Sequence, residues 1–253
     1  MSVTRTFVIG MGEVGRRIAS ALTAAGVHAV PVTRGAGWDE ALADREAPLI
    51  VSVREEALAD VLVRVRGVAH SRLVFVQNGW IRPLLGELPG CTRGLVWFTS
   101  KGEFFKVLRP SVFYGPLADD LAGALQRGGV AAVALDEGAF AGAEAEKMGF
   151  NCVVGLPLAV HRLALAEYLE RHREEAQAVF SEAVGVTARA LGAKASPEWW
   201  PAFLQAVGPL GWVKAATAKA LEYRNGTVVH LARELGLAAP VNERLLAAAG
   251  WSL

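Results

Sequence analysis

The chain opens on the feature that limits its fold most. An apolar run over 3–9 and a helical pattern over 14–25 flank Gly10-Met11-Gly12-Glu13-Val14-Gly15, a GxGxxG. In that setting each glycine has its own task. Gly10 permits a tight turn, Gly12 lets a pyrophosphate come up to the backbone, and Gly15 lets the helix pack on the strand. The N–H groups left free where the helix begins then face the phosphates. The pattern predicts a dinucleotide site and a sheet of parallel βαβ units.

The rest of the first half keeps that rhythm. Strands are expected at 28–32, 48–53, 72–77, 94–98 and 130–135, with shorter runs at 106–109 and 111–114 divided by Pro110. Helical patterns lie at 55–66 and 117–127, and strands separated in this way imply crossovers and a parallel sheet apolar on both faces. From Ala139 onward the pattern is helical: 139–152, 155–170, 173–192, 197–222, 225–236 and 241–249, with Gly192, Gly236 and Pro240 as stops. The expected layout is α/β: a Rossmann-type doubly wound parallel sheet over 1–138, then an all-helical domain over 139–253. The cleft between them is the default substrate site.

Composition removes several other classes. With 26 basic and 25 acidic residues the chain has no electrostatic case for nucleic acid or an anionic membrane as partner. The longest stretch without Asp, Glu, Lys or Arg runs over 18–33, too short for a bilayer span, and the opening apolar run is too short for a signal-peptide core. A cytoplasmic protein is expected. Cys91 and Cys152 are too few for a disulfide framework, and the five histidines form no tight cluster in the sequence, so no metal site is expected.

The residue ending the second strand separates NAD from NADP. An NAD site places an acid there for the ribose 2′-hydroxyl, whereas Val32-Thr33-Arg34 offers a guanidinium suited to a 2′-phosphate. Arg54, after the third strand, is in position to join it. NADP is the cofactor expected, the other reading of Arg34 being an exposed loop arginine.

Gln77-Asn78-Gly79 after a strand, Lys147 with Asn151 four residues on, and the tail Asn225-Gly-Thr-Val-Val…Pro240-Val-Asn242 together resemble the ketopantoate reductase family. The resemblance runs in order along nearly the whole chain, including a β-ribbon region over 96–115. It implies a helical domain like the C-terminal domain of 6-phosphogluconate dehydrogenase, reduction of a small 2-oxo acid or related ketone by NADPH, and a homodimer. It also implies Lys147 as general acid, with Asn78 and Asn151 holding cofactor and substrate. Spacing alone reads Lys147 as a solvated lysine in the run Glu144-Ala-Glu146-Lys147. On a helix, however, Lys147 and Asn151 share a face, and an ammonium beside a forming alkoxide acts both by charge and by proton donation.

The substrate shell departs from the family. Lys219-Ala220-Leu221-Glu222 carries alanine where the family has a substrate-site glutamate, and Glu222 sits two residues on, about 200° around a helix. Val207-Gly208 replaces paired serines, Gly155 replaces a second asparagine, and Gln205 keeps an amide near another. Gln205 and Glu222 are the remaining substrate candidates. Two other readings stay open: a β-hydroxyacid dehydrogenase, or a non-catalytic NADP-binding protein that has lost its substrate site. Trp199-Trp200-Pro201 is expected to anchor another domain or subunit.

Overall fold

The computed structural model describes residues 3–86, 88–215 and 220–251. The chain divides into two compact units, one of 3–77 with 81–140, the other of 78–80 with 141–251.

The first unit is built on β1 (Arg5–Ile9), α1 (Glu13–Ala24), β2 (His28–Val32), α2 (Trp38–Ala43), β3 (Leu49–Val51), α3 (Leu58–Arg64), β4 (Leu73–Phe75) and β5 (Thr92–Leu95). After these come β6 (Phe98–Lys101), β7 (Phe104–Val107), β8 (Ser111–Tyr114), α4 (Ala118–Arg127) and β9 (Ala132–Ala134). Seven strands form one sheet in the order β2-β1-β3-β4-β5-β8-β9. The interior strands are apolar on both faces, as a sheet covered by helices requires: Phe7, Val8, Ile9, Leu49 and Val51 are at most 1% exposed. Pro31 is tolerated because β2 lies at the edge, where a missing N–H disrupts no ladder. Ile18 and Leu22 of α1 and Leu121 and Leu125 of α4 bury against Val74, Val96 and Phe113, each side chain contributing about 1.5–3 kcal/mol of burial.

The sheet is not parallel throughout. β5 pairs with β8 antiparallel, and the expected strand over 94–98 divides into β5 and β6. The cause is local. Trp97 leaves the ladder: its N–H bonds the Ser111 hydroxyl at 3.0 Å and its carbonyl accepts from Leu108 at 2.8 Å. β6 and β7 then pair as a separate two-stranded ribbon, within the region the family resemblance had given as one.

The helical unit takes up most of α5 (Glu137–Val153), then α6 (Leu156–His161), α7 (Leu165–Arg171), α8 (Arg173–Leu191), α9 (Trp199–Val207), α10 (Asn225–Glu234) and α11 (Pro240–Ala248). Two expected helices are broken. The one over 155–170 stops at His161 because Arg162 turns left-handed (φ 57°). The one over 197–222 stops at Val207, where Gly208-Pro209 starts a single 3₁₀ turn, and Pro209 has no N–H to continue an α-helix. The two breaks explain each other. The freed segments pair, Leu165 N–H to the Val213 carbonyl at 2.9 Å and Ala166 N–H to Gly211 at 3.0 Å. Trp200, expected as an anchor for another domain or subunit, packs within its own unit: it is half-buried, stacks on Phe203 with centroids 5.1 Å apart and packs on Phe180. Among the described residues no helix is long and apolar enough to cross a membrane.

Candidate functional site

The switch point of the sheet lies beside β1, which has β2 on one side and β3 on the other. Ligands of such sheets bind at the carboxyl ends of strands at this point. The three glycines there differ as the motif predicts. Gly10 has φ +92°, and a Cβ on it would stand 2.9 Å from the Val53 nitrogen. A Cβ on Gly15 would stand 2.0 Å from the Gly10 carbonyl oxygen, whereas one on Gly12 would meet nothing within 4 Å among the described residues. Gly10 and Gly15 therefore shape the turn, and Gly12 leaves its approach open. Ser52 was not foreseen. It secures the turn by donating to the Gly10 carbonyl at 2.6 Å, and a single serine after a short apolar run carries no distinguishing signal in the sequence.

Glu13 opens α1, and its side chain turns away to the ribbon. The Ser100 hydroxyl donates to it at 3.0 Å and, with Arg16 and Arg17 nearby, holds its carboxyl below the usual value. Its N–H, with those of Val14 and Gly15, is left at the helix start, where anions are favoured.

A cleft of about 670 Å³ continues from this turn and is lined by Gly10, Met11, Gly12, Arg34, Trp38 and Arg54. Arg34 and Arg54 are exposed, and neither side chain has a hydrogen-bond or ion-pair partner among the described residues. Trp38, in the unforeseen α2, donates to the Thr33 carbonyl at 2.8 Å and carries the Arg64 guanidinium over its ring at 4.8 Å. Three guanidinium groups and one carboxylate, Asp60, thus line the cleft. This donor set fits a dinucleotide with an additional phosphate.

Gln77 closes the β4 side. Buried to 3% exposure, it donates to the Val51 and Val53 carbonyls at 3.0 and 3.1 Å, binding the ends of two strands.

In the helical unit, Lys147 is 4% exposed and Asn151 7%. The solvated-lysine reading is therefore wrong. α5 is drawn in because Gly149 lacks a side chain; a Cβ there would stand 2.7 Å from Val184 Cγ2 on α8. The Lys147 ammonium lies 4.6 Å from the Phe150 ring centroid, and Phe150 packs edge-on against Phe203 at 5.8 Å. Asn151 donates through Nδ2 to the Asn78 carbonyl. The Asn78 side-chain oxygen is buried with no hydrogen-bond partner among the described residues. Lys147, Asn151 and Asn78 are thus gathered in one place.

The other substrate candidates are not gathered with them by any described contact. Gln205 is exposed on α9, turned away from the buried Phe203 and Ala206. Glu222 is exposed in a 3₁₀ turn, Leu221–Tyr223, entered through left-handed Ala220 (φ 51°). Residues 220 and 222 are therefore not related by rotation around an α-helix. Lys219 lies outside the described residues. Asn225 and Asn242, which helped carry the resemblance, are structural. Asn225 Nδ2 donates to Asn242 Oδ1 at 2.8 Å, and Asn242 Nδ2 to Glu182 Oε2 at 2.7 Å, stapling α10, α11 and α8.

The histidines do cluster in space. His161, His172 and Glu175 bring their ligand atoms within 4.8 Å of one another, which sequence spacing missed because they come from separate helix ends. The two rings stack at 4.1 Å, an arrangement in which their in-plane lone pairs do not converge on one ion. Burial raises the Glu175 carboxyl, but hydrogen bonds from His161 (2.7 Å) and Tyr168 and the Arg244 charge outweigh it and hold the group below its ordinary value.

No family model matches the chain, and no curated protein matches it. Solved structures do. A ketopantoate reductase of the PanE/ApbA family from Ralstonia eutropha JMP134 is 19% identical, with a TM-score of 0.76 and 97% of each chain covered. The dimeric ketopantoate reductase of Staphylococcus aureus is 18% identical, with a TM-score of 0.75 over 97% of this chain and 99% of that one. D-mandelate dehydrogenase, solved with NADH and anilino(oxo)acetate, is 14% identical, with a TM-score of 0.79 and 97% of each chain covered. The chain therefore has the two-part fold of the ketopantoate reductases and D-mandelate dehydrogenase, a mostly parallel sheet followed by a helical region.

Proposed function

We propose that this protein is a divergent ketopantoate reductase-like enzyme, an NADPH-dependent reductase of a small 2-oxo acid that works in the cytoplasm as a homodimer. The observation that carries the reading is the burial of Lys147 beside Asn151. A lysine held out of bulk water one helical turn from an amide is placed to donate a proton to a bound substrate.

NADPH, when bound, supplies the hydride to the carbonyl carbon of the substrate. Gly10, Gly12 and the N–H groups of Glu13, Val14 and Gly15 hold the pyrophosphate, and Met11 lines its approach. Arg34 and Arg54 hold the 2′-phosphate, by charge and by paired hydrogen bonds. As hydride reaches the carbon, the C=O π pair moves to oxygen, which takes a proton from the Lys147 ammonium. The lysine is left as a neutral amine and recovers its proton from water. Asn78 and Asn151 orient the reacting groups. That D-mandelate dehydrogenase was solved with anilino(oxo)acetate supports including 2-oxo acids with a bulky substituent. Its NADH contrasts with the arginine-lined cleft here, which is the basis for choosing NADPH.

Purified protein is expected to bind NADPH at micromolar concentration in calorimetry and to oxidise it with members of a 2-oxo acid panel. Failure to bind NADPH refutes the reading. A non-catalytic NADP-binding protein is the second reading, supported by the missing side chains at Ala220, Gly208 and Gly155. Binding without oxidation across the panel would favour it.

A further inference from the structure

Three stretches distant in sequence meet around Asn151. Its amide donates to the Asn78 carbonyl. The Trp80 N–H donates to the Tyr223 carbonyl at 2.7 Å. Asn225, 1% exposed, donates to the Cys152 carbonyl at 3.3 Å. Arg224 lies between the last two anchors, so its backbone is fixed on both sides, and its own carbonyl accepts from Val228 at 3.0 Å as α10 begins.

From there its side chain returns toward α5. Arg224 Nη1 lies 3.8 Å from the point a Cβ on residue 155 would occupy. The Asn151 carbonyl comes to 3.3 Å, and among the described residues, the two chain neighbours aside, nothing else comes within 4 Å of that point. The Cys152 thiol also feels the guanidinium: burial pushes it up to about 12, and the Arg224 charge pulls the other way. Lys147, Asn151 and Gly155 follow one another at intervals of four along α5 and the turn after it. Because Gly155 has no side chain, the series reads ammonium, amide, then a guanidinium supplied from the start of α10.

We infer that Arg224 receives the substrate carboxylate and sets the preference of this site for acids, an assignment that rests on the 2-oxo acid reductase reading. In a 2-oxo acid the carboxylate is bonded directly to the ketone carbon. Asn151, which orients the ketone in the proposed reaction, and position 155, where the guanidinium stands, are four residues apart, so a donor for each group of the reacting unit lies close to the other. The planar guanidinium fork matches a carboxylate through two parallel hydrogen bonds, which lysine cannot copy. The competing use of Arg224 is to neutralise the carbonyl end of α5. That use needs only charge, and its loss lowers stability rather than carboxylate affinity.

Arg224→Met and Arg224→Lys in the full-length, NADP-loaded protein separate the two. Oxamate, an unreactive isostere of a 2-oxo acid, is titrated by calorimetry, and a 2-oxo acid is compared with its uncharged amide as substrate. Arg224→Met is expected to weaken oxamate about 100-fold and to raise KM for the acid similarly, with kcat changed only a few-fold. Activity on the amide, NADPH affinity and Tm stay near wild type, and Arg224→Lys recovers part of the loss. Equal oxamate binding by wild type and Arg224→Met, or none by wild type, overturns the assignment. Parallel losses on acid and amide with a lowered Tm overturn it as well. Failure of the reductase reading looks different: wild type oxidises no NADPH with any 2-oxo acid, while oxamate still distinguishes it from Arg224→Met.

Discussion

The nucleotide cleft and the lysine cluster are made in opposite ways. In the first, the working parts are backbone. Gly10, Gly12 and Gly15 occupy six consecutive residues, and what distinguishes them is how much room a Cβ would have. In the second, the proposed working parts are side chains from three places, Asn78, Lys147 with Asn151, and Arg224, whose segments are joined by hydrogen bonds between residues more than 70 positions apart. A site made from one turn tolerates change around it, since each glycine answers to its immediate neighbours. A site made from distant segments depends on every helix that brings them together.

Substitutions sharpen that contrast. The largest effect is expected at Lys147: Lys147→Met should lower kcat by roughly 10²–10⁴-fold, the range for losing a general acid. NADPH affinity in calorimetry should stay near wild type, and a matching loss of affinity would remove the division of labour between the two sites.

The glycines come next, as a pair. Gly15→Ala places a methyl group against the Gly10 carbonyl, so NADPH binding should be lost and Tm should fall by about 3–10 °C. Gly12→Ala brings its methyl group within 4 Å of nothing among the described residues beyond the chain neighbours. It should keep Tm within about 2 °C while weakening NADPH at least tenfold, because the methyl obstructs only the ligand. Equal thermal penalties would break the assignment of separate tasks.

Arg34→Ala should weaken NADPH by about 10–100-fold and NADH hardly at all, as expected for the loss of charge-assisted hydrogen bonds to a phosphate. Equal weakening of both would end the 2′-phosphate assignment.

The smallest effect concerns stability of the helical unit alone. The folded Glu175 carboxyl is held below its ordinary value of 4.5. Its contribution is therefore present above that value and is lost as pH falls through the lowered one. Glu175→Gln should reduce Tm at pH 7 by about 2–4 °C, for roughly 1 kcal/mol. The difference from wild type should close as the pH drops below 4. A deficit that persists in acid would assign the effect to packing instead.

Legibility followed the same division. The glycine motif, the first four strands and the absence of an acid after β2 could be read directly, because turns, apolar runs and strand ends are short-range features, whereas the division of 94–98 between two sheets could not. Arg34 and Arg54 could be named, but their lack of side-chain partners among the described residues could not. The helix expected over 197–222 failed at Gly208-Pro209, and its replacement by a paired segment depended on a second break at Arg162, which no local signal announces. Asn225 and Asn242 drew attention as residue types, yet their task is to staple helices.

The sequence by itself determined a dinucleotide turn, the alternation that builds a sheet around it, and the one-turn spacing of Lys147 and Asn151. Each is set by steric and periodic rules acting within a few residues. Only the tertiary structure decided that Lys147 is buried rather than solvated, because that depends on Gly149 letting α5 close on α8. It likewise decided which side chain approaches Gly155, in the turn after Asn151. Arg224 is 73 positions from Asn151, and its approach is governed by the anchoring of its neighbours Tyr223 and Asn225, long-range contacts that no window of sequence contains.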